Sequence, residues 1–210
     1  MKILNCYAGI GGNRKLWGNT HKITAIELDP KIAEIYKDFF PEDNVIVADA
    51  HQYLLEHFKE FDFIWSSPPC PTHSQLGKLR CCDGINKTSA QMSIPKYPDM
   101  KLYEEIILLK HYFKGLYCVE NVIAYYKPLI KPTEIQRHHF WSNFFIGQMK
   151  LSADNIDKGK IKEWEDRLGY DLSKYVNSDK RKMLRNCVRP ELGLHILNES
   201  ILDYQKELFR

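Results

Sequence analysis

The chain has 210 residues, 44% of them hydrophobic and 27% charged, and carries a formal net charge of +3. That length suits one main domain around one core, and the composition is that of a soluble globular protein with no apolar run near the ~20 residues of a membrane helix. The opening Met1-Lys2-Ile3-Leu4-Asn5-Cys6 has too short an apolar stretch for a secretory leader, which makes a reducing cytoplasm the expected location. The six cysteines (Cys6, Cys70, Cys81, Cys82, Cys118, Cys187) are accordingly expected as free thiols. The charge is small but uneven, since residues 158–190 hold ten Lys/Arg against five Asp/Glu. A phosphate-facing patch and an ordinary solvated surface are both compatible with that excess.

In chain order, Lys2 to Cys6 reads as a buried strand running into the turn Tyr7-Ala8-Gly9-Ile10-Gly11-Gly12, with a helix expected through Arg14 to Trp17. Lys22 to Leu28 reads as a second strand. Asp29-Pro30 then supplies an N-cap and first helical residue, with apolar Ile32, Ala33, Ile35, Tyr36, Phe39 and Phe40 at helical spacing. The alternation repeats: strand Val45 to Val47, helix about His51 to Phe58, strand Phe61 to Trp65, helix Leu102 to Tyr112, strand Leu116 to Val119. This pattern predicts an α/β fold, a mostly parallel sheet with helices on both faces. Residues 69–97 lack periodicity, a length typical of a functional loop. Beyond Phe145 the pattern is charged and helix-leaning, ending in an apolar helical stretch at Leu192 to Leu202.

Ligands of such sheets bind beyond the carboxyl ends of the strands, where this chain places the glycine turn, Glu27, Asp49, Cys70 and Glu120-Asn121. Gly9-x-Gly11-Gly12 lets backbone approach a ligand, Glu27 is placed to take ribose hydroxyls, and Asp49 is placed to accept from an adenine amine. The acids equally suit helix caps. A nucleoside cofactor fits, either a dinucleotide or S-adenosylmethionine; Arg14 stands where a dinucleotide fingerprint has its third glycine.

Ser67-Pro68-Pro69-Cys70-Pro71-Thr72-His73-Ser74 brackets a cysteine with prolines. Zinc is disfavoured, because Cys70, His73 and the adjacent Cys81-Cys82 make poor tetrahedral geometry. An inert buried thiol is the general reading for cysteine. Prolines that stiffen the backbone at a strand end suit a held nucleophile better. Such a thiol, with a free pKa of about 8.5, needs help to ionise at neutral pH. Glu120 offers a carboxyl that, when protonated, can hold an acceptor nitrogen of a ring while the thiolate adds to it.

Taken together, Y-A-G-I-G-G at 7–12, Glu27, Asp49, P-P-C at 68–70 with Ser74, E-N-V at 120–122, Gln136-Arg137-His138-His139-Phe140 and R-N-C-V at 185–188 resemble, in order, the motifs of cytosine-C5 DNA methyltransferases. The resemblance implies a Rossmann-like S-adenosylmethionine-dependent methyltransferase sheet acting on double-stranded DNA, and the compact form suits a monomer in the cytoplasm of a prokaryotic or virus-infected cell. It implies a flipped cytosine whose C6 is attacked by Cys70 while Glu120 holds N3 and the exocyclic amine. C5 then takes the methyl group, and loss of the C5 proton and of the cysteine restores the ring. Arg137 would orient the substrate. Tyr7, Gly9, Gly11, Gly12, Glu27, Leu28, Asp49, Ala50, Pro69, Leu102, Asn186 and Val188 would form the cofactor site. Ser74, His139, Lys180, Arg181 and Arg185 would face the nucleic acid. Residues 1–147 and 183–210 would be the catalytic domain, and residues 148–182 a much reduced target-recognition region.

Several positions depart from the family pattern. Asn5 and Tyr7 stand where Asp and Phe are common, Leu28 replaces an aromatic, and Gln136-Arg137-His138-His139 lacks one arginine of a Gln-x-Arg-x-Arg motif. A short reader implies a short target sequence or a partner's help, and the basic residues of 180–189 suit phosphate contacts, which position without specifying. The rivals are a transfer-RNA cytosine-C5 methyltransferase of the same family and a nucleotide-dependent oxidoreductase on the same sheet.

Overall fold

A computed structural model describes residues 1–75, 97–151, 160–176 and 178–208. Most of the aperiodic segment 69–97 falls outside these residues, as do Cys81 and Cys82. Seven strands form one sheet: β1 (Lys2–Cys6), β2 (Lys22–Glu27), β3 (Asn44–Val47), β4 (Phe63–Ser66), β5 (Leu116–Val122), β6 (Thr133–Ile135) and β7 (His138–Ser142), in the order β3-β2-β1-β4-β5-β7-β6. The first five strands are parallel, and β7 runs antiparallel to both β5 and β6. The helices are α1 (Pro30–Phe39), α2 (Ala50–His57), α3 (Lys101–Tyr112), α4 (Ile161–Leu168), α5 (Lys180–Arg185) and α6 (Pro190–Leu208). This is the α/β architecture with a mostly parallel sheet that the sequence leads one to expect. Among the described residues no helix is long and apolar enough to cross a membrane.

Consecutive residues of the central strands point to opposite faces, so near-continuous apolar runs serve two cores. On one face Ile3, Trp65, Cys118 and Phe140 pack with Leu192 and Ile196 of α6. On the other, Leu4, Ile64 and Val119 pack with Leu54 of α2 and with Ile106 and Leu109 of α3. α1 starts where Asp29 accepts from the Lys31 amide at 2.9 Å with Pro30 behind it, and α2 where Asp49 accepts from the Gln52 amide at 3.1 Å. Residues 160–185 are not detached from this body: Trp164, Leu168, Met183 and Leu184 close on Ile10 and Ile35, and the Tyr170 hydroxyl donates to the Ile10 carbonyl at 3.0 Å.

Two local expectations differ, and one hairpin is not anticipated by the sequence. Residues 12–16 form successive turns rather than a helix. There the buried Arg14 guanidinium is drawn to Asp43 at 2.8 Å, the Trp17 indole donates to the Gly193 carbonyl at 3.1 Å, and Gly193 lies so close that a Cβ would sit 2.2 Å from the Asn13 carbonyl oxygen. Tertiary partners therefore override a weak local helical preference. β5 continues through Glu120-Asn121-Val122, because β7 pairs along it (Glu120 opposite Phe140, Asn121 opposite His139). The β6–β7 hairpin itself has no glycine cue: its two-residue turn is Gln136-Arg137, with Gln136 at a φ of 59°.

Candidate active site

The loop after β4 is tied down at both flanks of its cysteine. Ahead of it, the buried Pro68 carbonyl accepts from the Asn121 side-chain amide at 2.9 Å. Behind it, the amides of His73 and Ser74 donate to the Cys70 carbonyl at 2.9 and 3.0 Å, and the Tyr125 amide donates to the His73 carbonyl at 3.0 Å. The Thr72 hydroxyl accepts from the Asp99 amide at 2.9 Å. His73 itself is buried, with Nδ1 2.6 Å from the Tyr126 hydroxyl; burial lowers its pKa, so it serves as a neutral brace. Prolines cannot donate, and the donors come instead from neighbours that fix the loop.

Cys70 is half-buried in that loop. Its thiol is pushed above its ordinary pKa, first by burial and then by the negative Glu120, with the Arg185 cation acting in the opposite direction. Glu120 and Arg185 act on Cys70 although they arrive from β5 and from the end of α5. Glu120 is buried, and its Oε1 lies 2.6 Å from Nδ1 of His138. The two share a face because Glu120 is paired with Phe140 and His138 sits two residues before it. His139 points to the other face, is buried, and meets Glu134 at 3.2 Å. Arg137 is exposed in the hairpin turn, where its carbonyl accepts from the Ile123 amide at 3.4 Å.

At the ends of β1 to β3 the second half of the site is assembled. The Gly9 amide donates to Glu27 Oε2 at 2.9 Å and the Asp29 amide to Glu27 Oε1 at 3.0 Å, so Glu27 organises the glycine turn and the entry to α1. Gly9 has a φ of 55° and open space where a Cβ would stand. Gly11 and Gly12 serve close packing: a Cβ would come within 2.4 Å of the Phe40 ring at Gly11 and within 2.6 Å of Cys187 Cβ at Gly12. Leu28 is 67% exposed beside Glu27, and Asp49 is exposed, its carboxyl held below the usual range by the Gln52 amide. Ala50, Leu102 and Val188 are buried, whereas Pro69 and Asn186 are exposed.

Tyr7 adopts a φ of 57°, uncommon for a bulky residue, and its hydroxyl donates to Glu105 Oε1 at 2.6 Å. Glu105 is fully buried and also receives His51 Nδ1 at 2.9 Å and the Ser66 hydroxyl at 2.6 Å. The bond to Glu105 raises the His51 pKa, favouring its cationic form beside the carboxylate. Sequence reasoning missed this acid, yet Glu105 stands on the apolar stripe Leu102, Ile106, Leu109 of α3, and an acid at such a position signals a buried partner. On the basic stretch, Lys180 Nζ lies 3.5 Å from the Ser173 carbonyl and Arg181 stacks 5.3 Å from the Trp164 ring centroid. Ser74 bridges to Ala124. Among the described residues no cluster of His, Cys, Asp and Glu could hold a metal ion, and Cys6, Cys70, Cys118 and Cys187 are free thiols.

Residues 1–94 match the family described as C-5 cytosine-specific DNA methylase. A tRNA (cytosine(38)-C(5))-methyltransferase of Spodoptera frugiperda is 31% identical over 83 residues, 37% of this chain and 25% of that protein. The enzyme of the same name from Mus musculus is 26% identical over 117 residues, 53% of this chain and 28% of that protein. The chain thus spans about a quarter of the length of the curated relatives it matches. A crystal structure of Spodoptera frugiperda DNMT2 superposes with a TM-score of 0.39 at 25% identity, covering 58% of this chain and 35% of that one.

Proposed function

We propose that this chain, whose first 94 residues match the family described as C-5 cytosine-specific DNA methylase, methylates C5 of a cytosine in DNA, using S-adenosylmethionine and Cys70 as nucleophile. The observation that carries this reading is the joint placement of Cys70 and Glu120: the Cys70 loop is braced on both sides, on one of them by Asn121, the residue next to the buried Glu120 on β5. Cys70 Sγ bonds to C6 of the cytosine while Glu120 holds the ring nitrogen, placing electron density on C5. After methylation the C5 proton leaves to a base, the S–C6 bond breaks and the thiolate is released.

The residues at the ends of β1 to β3 fit the cofactor. Gly9 has open space beside it, Glu27 presents a carboxylate there, and exposed Leu28 and Asp49 offer an apolar surface and an acceptor for the adenine. When bound, S-adenosylmethionine supplies an electrophilic methyl group. Glu27→Ala is expected to weaken cofactor binding by about 1–3 kcal/mol, because both the ribose contacts and the brace on the Gly9 amide are lost. Isothermal titration calorimetry reads this directly, and an unchanged affinity removes Glu27 from the site.

A second reading, methylation of cytosine in transfer RNA by the same residues, is favoured by the names of the curated relatives. The two separate on incorporation of a labelled methyl group into duplex DNA against transfer RNA. The DNA reading expects label in the duplex, and label in RNA alone selects the second. Both readings expect Lys180, Arg181, Lys182 and Arg185 to contact phosphates, so binding should weaken steeply with salt.

A further inference from the structure

His138 belongs to none of the roles assigned above, yet its side chain is in hydrogen-bonding contact with Glu120: Nδ1 lies 2.6 Å from Oε1. Arg137, the neighbour that the motif resemblance makes the substrate-orienting residue, is exposed in the hairpin turn, and His139 faces the opposite side of the sheet toward Glu134. β7 itself enforces this choice, since alternation along the strand allows only every second residue onto the Glu120 face. We propose that His138 is the positioning residue for Glu120: its Nδ1–H occupies Oε1, so that Oε2 is the oxygen that carries the carboxyl proton to the ring nitrogen of the base.

The inference rests on the cytosine-methylation reading, and its chemistry follows from counting protons. A carboxyl that donates to an acceptor nitrogen has one proton and two oxygens, and it is productive only when the proton is on the oxygen facing the ring. A donor fixed on Oε1 makes that oxygen an acceptor and leaves the proton to Oε2. The arrangement is rigid, because Glu120 and His138 both lie within paired strands rather than on loops. His138 is only partly buried, with 21% of its side chain exposed, whereas the Glu120 side chain is 8% exposed.

The test compares His138→Ala and His138→Asn with the parent protein. Asparagine places an amide N–H near the position of Nδ1 but cannot be replaced in that role by the alanine methyl. Methyl transfer to the nucleic acid that the parent methylates, the KM for that nucleic acid and the affinity for S-adenosylmethionine are measured for each. His138→Ala should lower kcat by about 10- to 100-fold, the scale of a mispositioned general acid, with KM and cofactor affinity near the parent values. His138→Asn should recover most of that loss. Full activity in His138→Ala overturns the inference, and so does a loss that asparagine fails to recover or that falls on cofactor affinity instead of kcat. A parent protein that methylates neither DNA nor RNA removes the functional reading and takes this inference with it. Failure of the His138 arms in an active parent removes the inference alone.

Discussion

Cys70→Ser is expected to lower methyl transfer by a factor on the order of 10³ or more, while leaving cofactor affinity close to that of the parent. The substitution changes one atom at the tip of a loop whose attachments are all elsewhere: the Pro68 carbonyl on Asn121, the Cys70 carbonyl on the His73 and Ser74 amides, and Tyr125 on His73. Nothing in that bracing involves Sγ, so the fold and the glycine turn are untouched. A serine hydroxyl stays protonated at neutral pH and adds to a ring carbon far more slowly than a thiolate. Labelled-methyl assays and calorimetry on one preparation check both halves, and substantial residual turnover would remove Cys70 as nucleophile.

Glu120→Gln should move two properties of the protein in opposite directions. Methyl transfer falls by about 10² to 10³, because an amide stabilises developing charge on the base less well and has no acidic proton to yield. Cys70, by contrast, becomes more reactive toward iodoacetamide. Burial is the larger cause of its raised pKa and persists, but the repulsion between thiolate and Glu120 disappears while Arg185 remains. The alkylation midpoint, followed by mass spectrometry of the Cys70 peptide across pH, should therefore shift to lower pH. A midpoint that stays in place, or rises, would mean that Glu120 is not the charge Cys70 feels. The opposed signs also separate loss of chemistry from simple misfolding, which would not leave a thiol selectively activated.

Much of this site can be read in the sequence because its residues sit where strands end, and strand ends are marked by abrupt changes of composition. Val47 gives way to Asp49, the run ending in Trp65 gives way to prolines, and Ile26 precedes Glu27. The parallel order of the first five strands follows from helices alternating with apolar runs. The β6–β7 hairpin escapes such reading, since its turn is Gln136-Arg137 without glycine, asparagine or proline, and its strands are three and five residues long. With it went the identity of the residue beside Glu120: which of Arg137, His138 and His139 faces the acid depends on strand register, and a shift by one residue reverses the answer. The turns at 12–16 fail for a related reason. Their conformation is dictated by Asp43 and Gly193, both remote in the chain.

Glu105 is the centre of a different economy in this protein. Tyr7, His51 and Ser66 come from the ends of β1 and β4 and from the first turn of α2, and all three converge on one enclosed carboxylate. Such a junction acts as a keystone: none of the three segments can shift without unseating a charge that has no water to fall back on. Evolutionary drift at any one of these four positions should therefore be constrained by the other three. Variation there would have to be concerted, with a neutral partner replacing the acid only when histidine and tyrosine change as well. The tyrosine hydroxyl, absent from a phenylalanine at the same place, ties the residue that opens the glycine turn to the buried acid of α3.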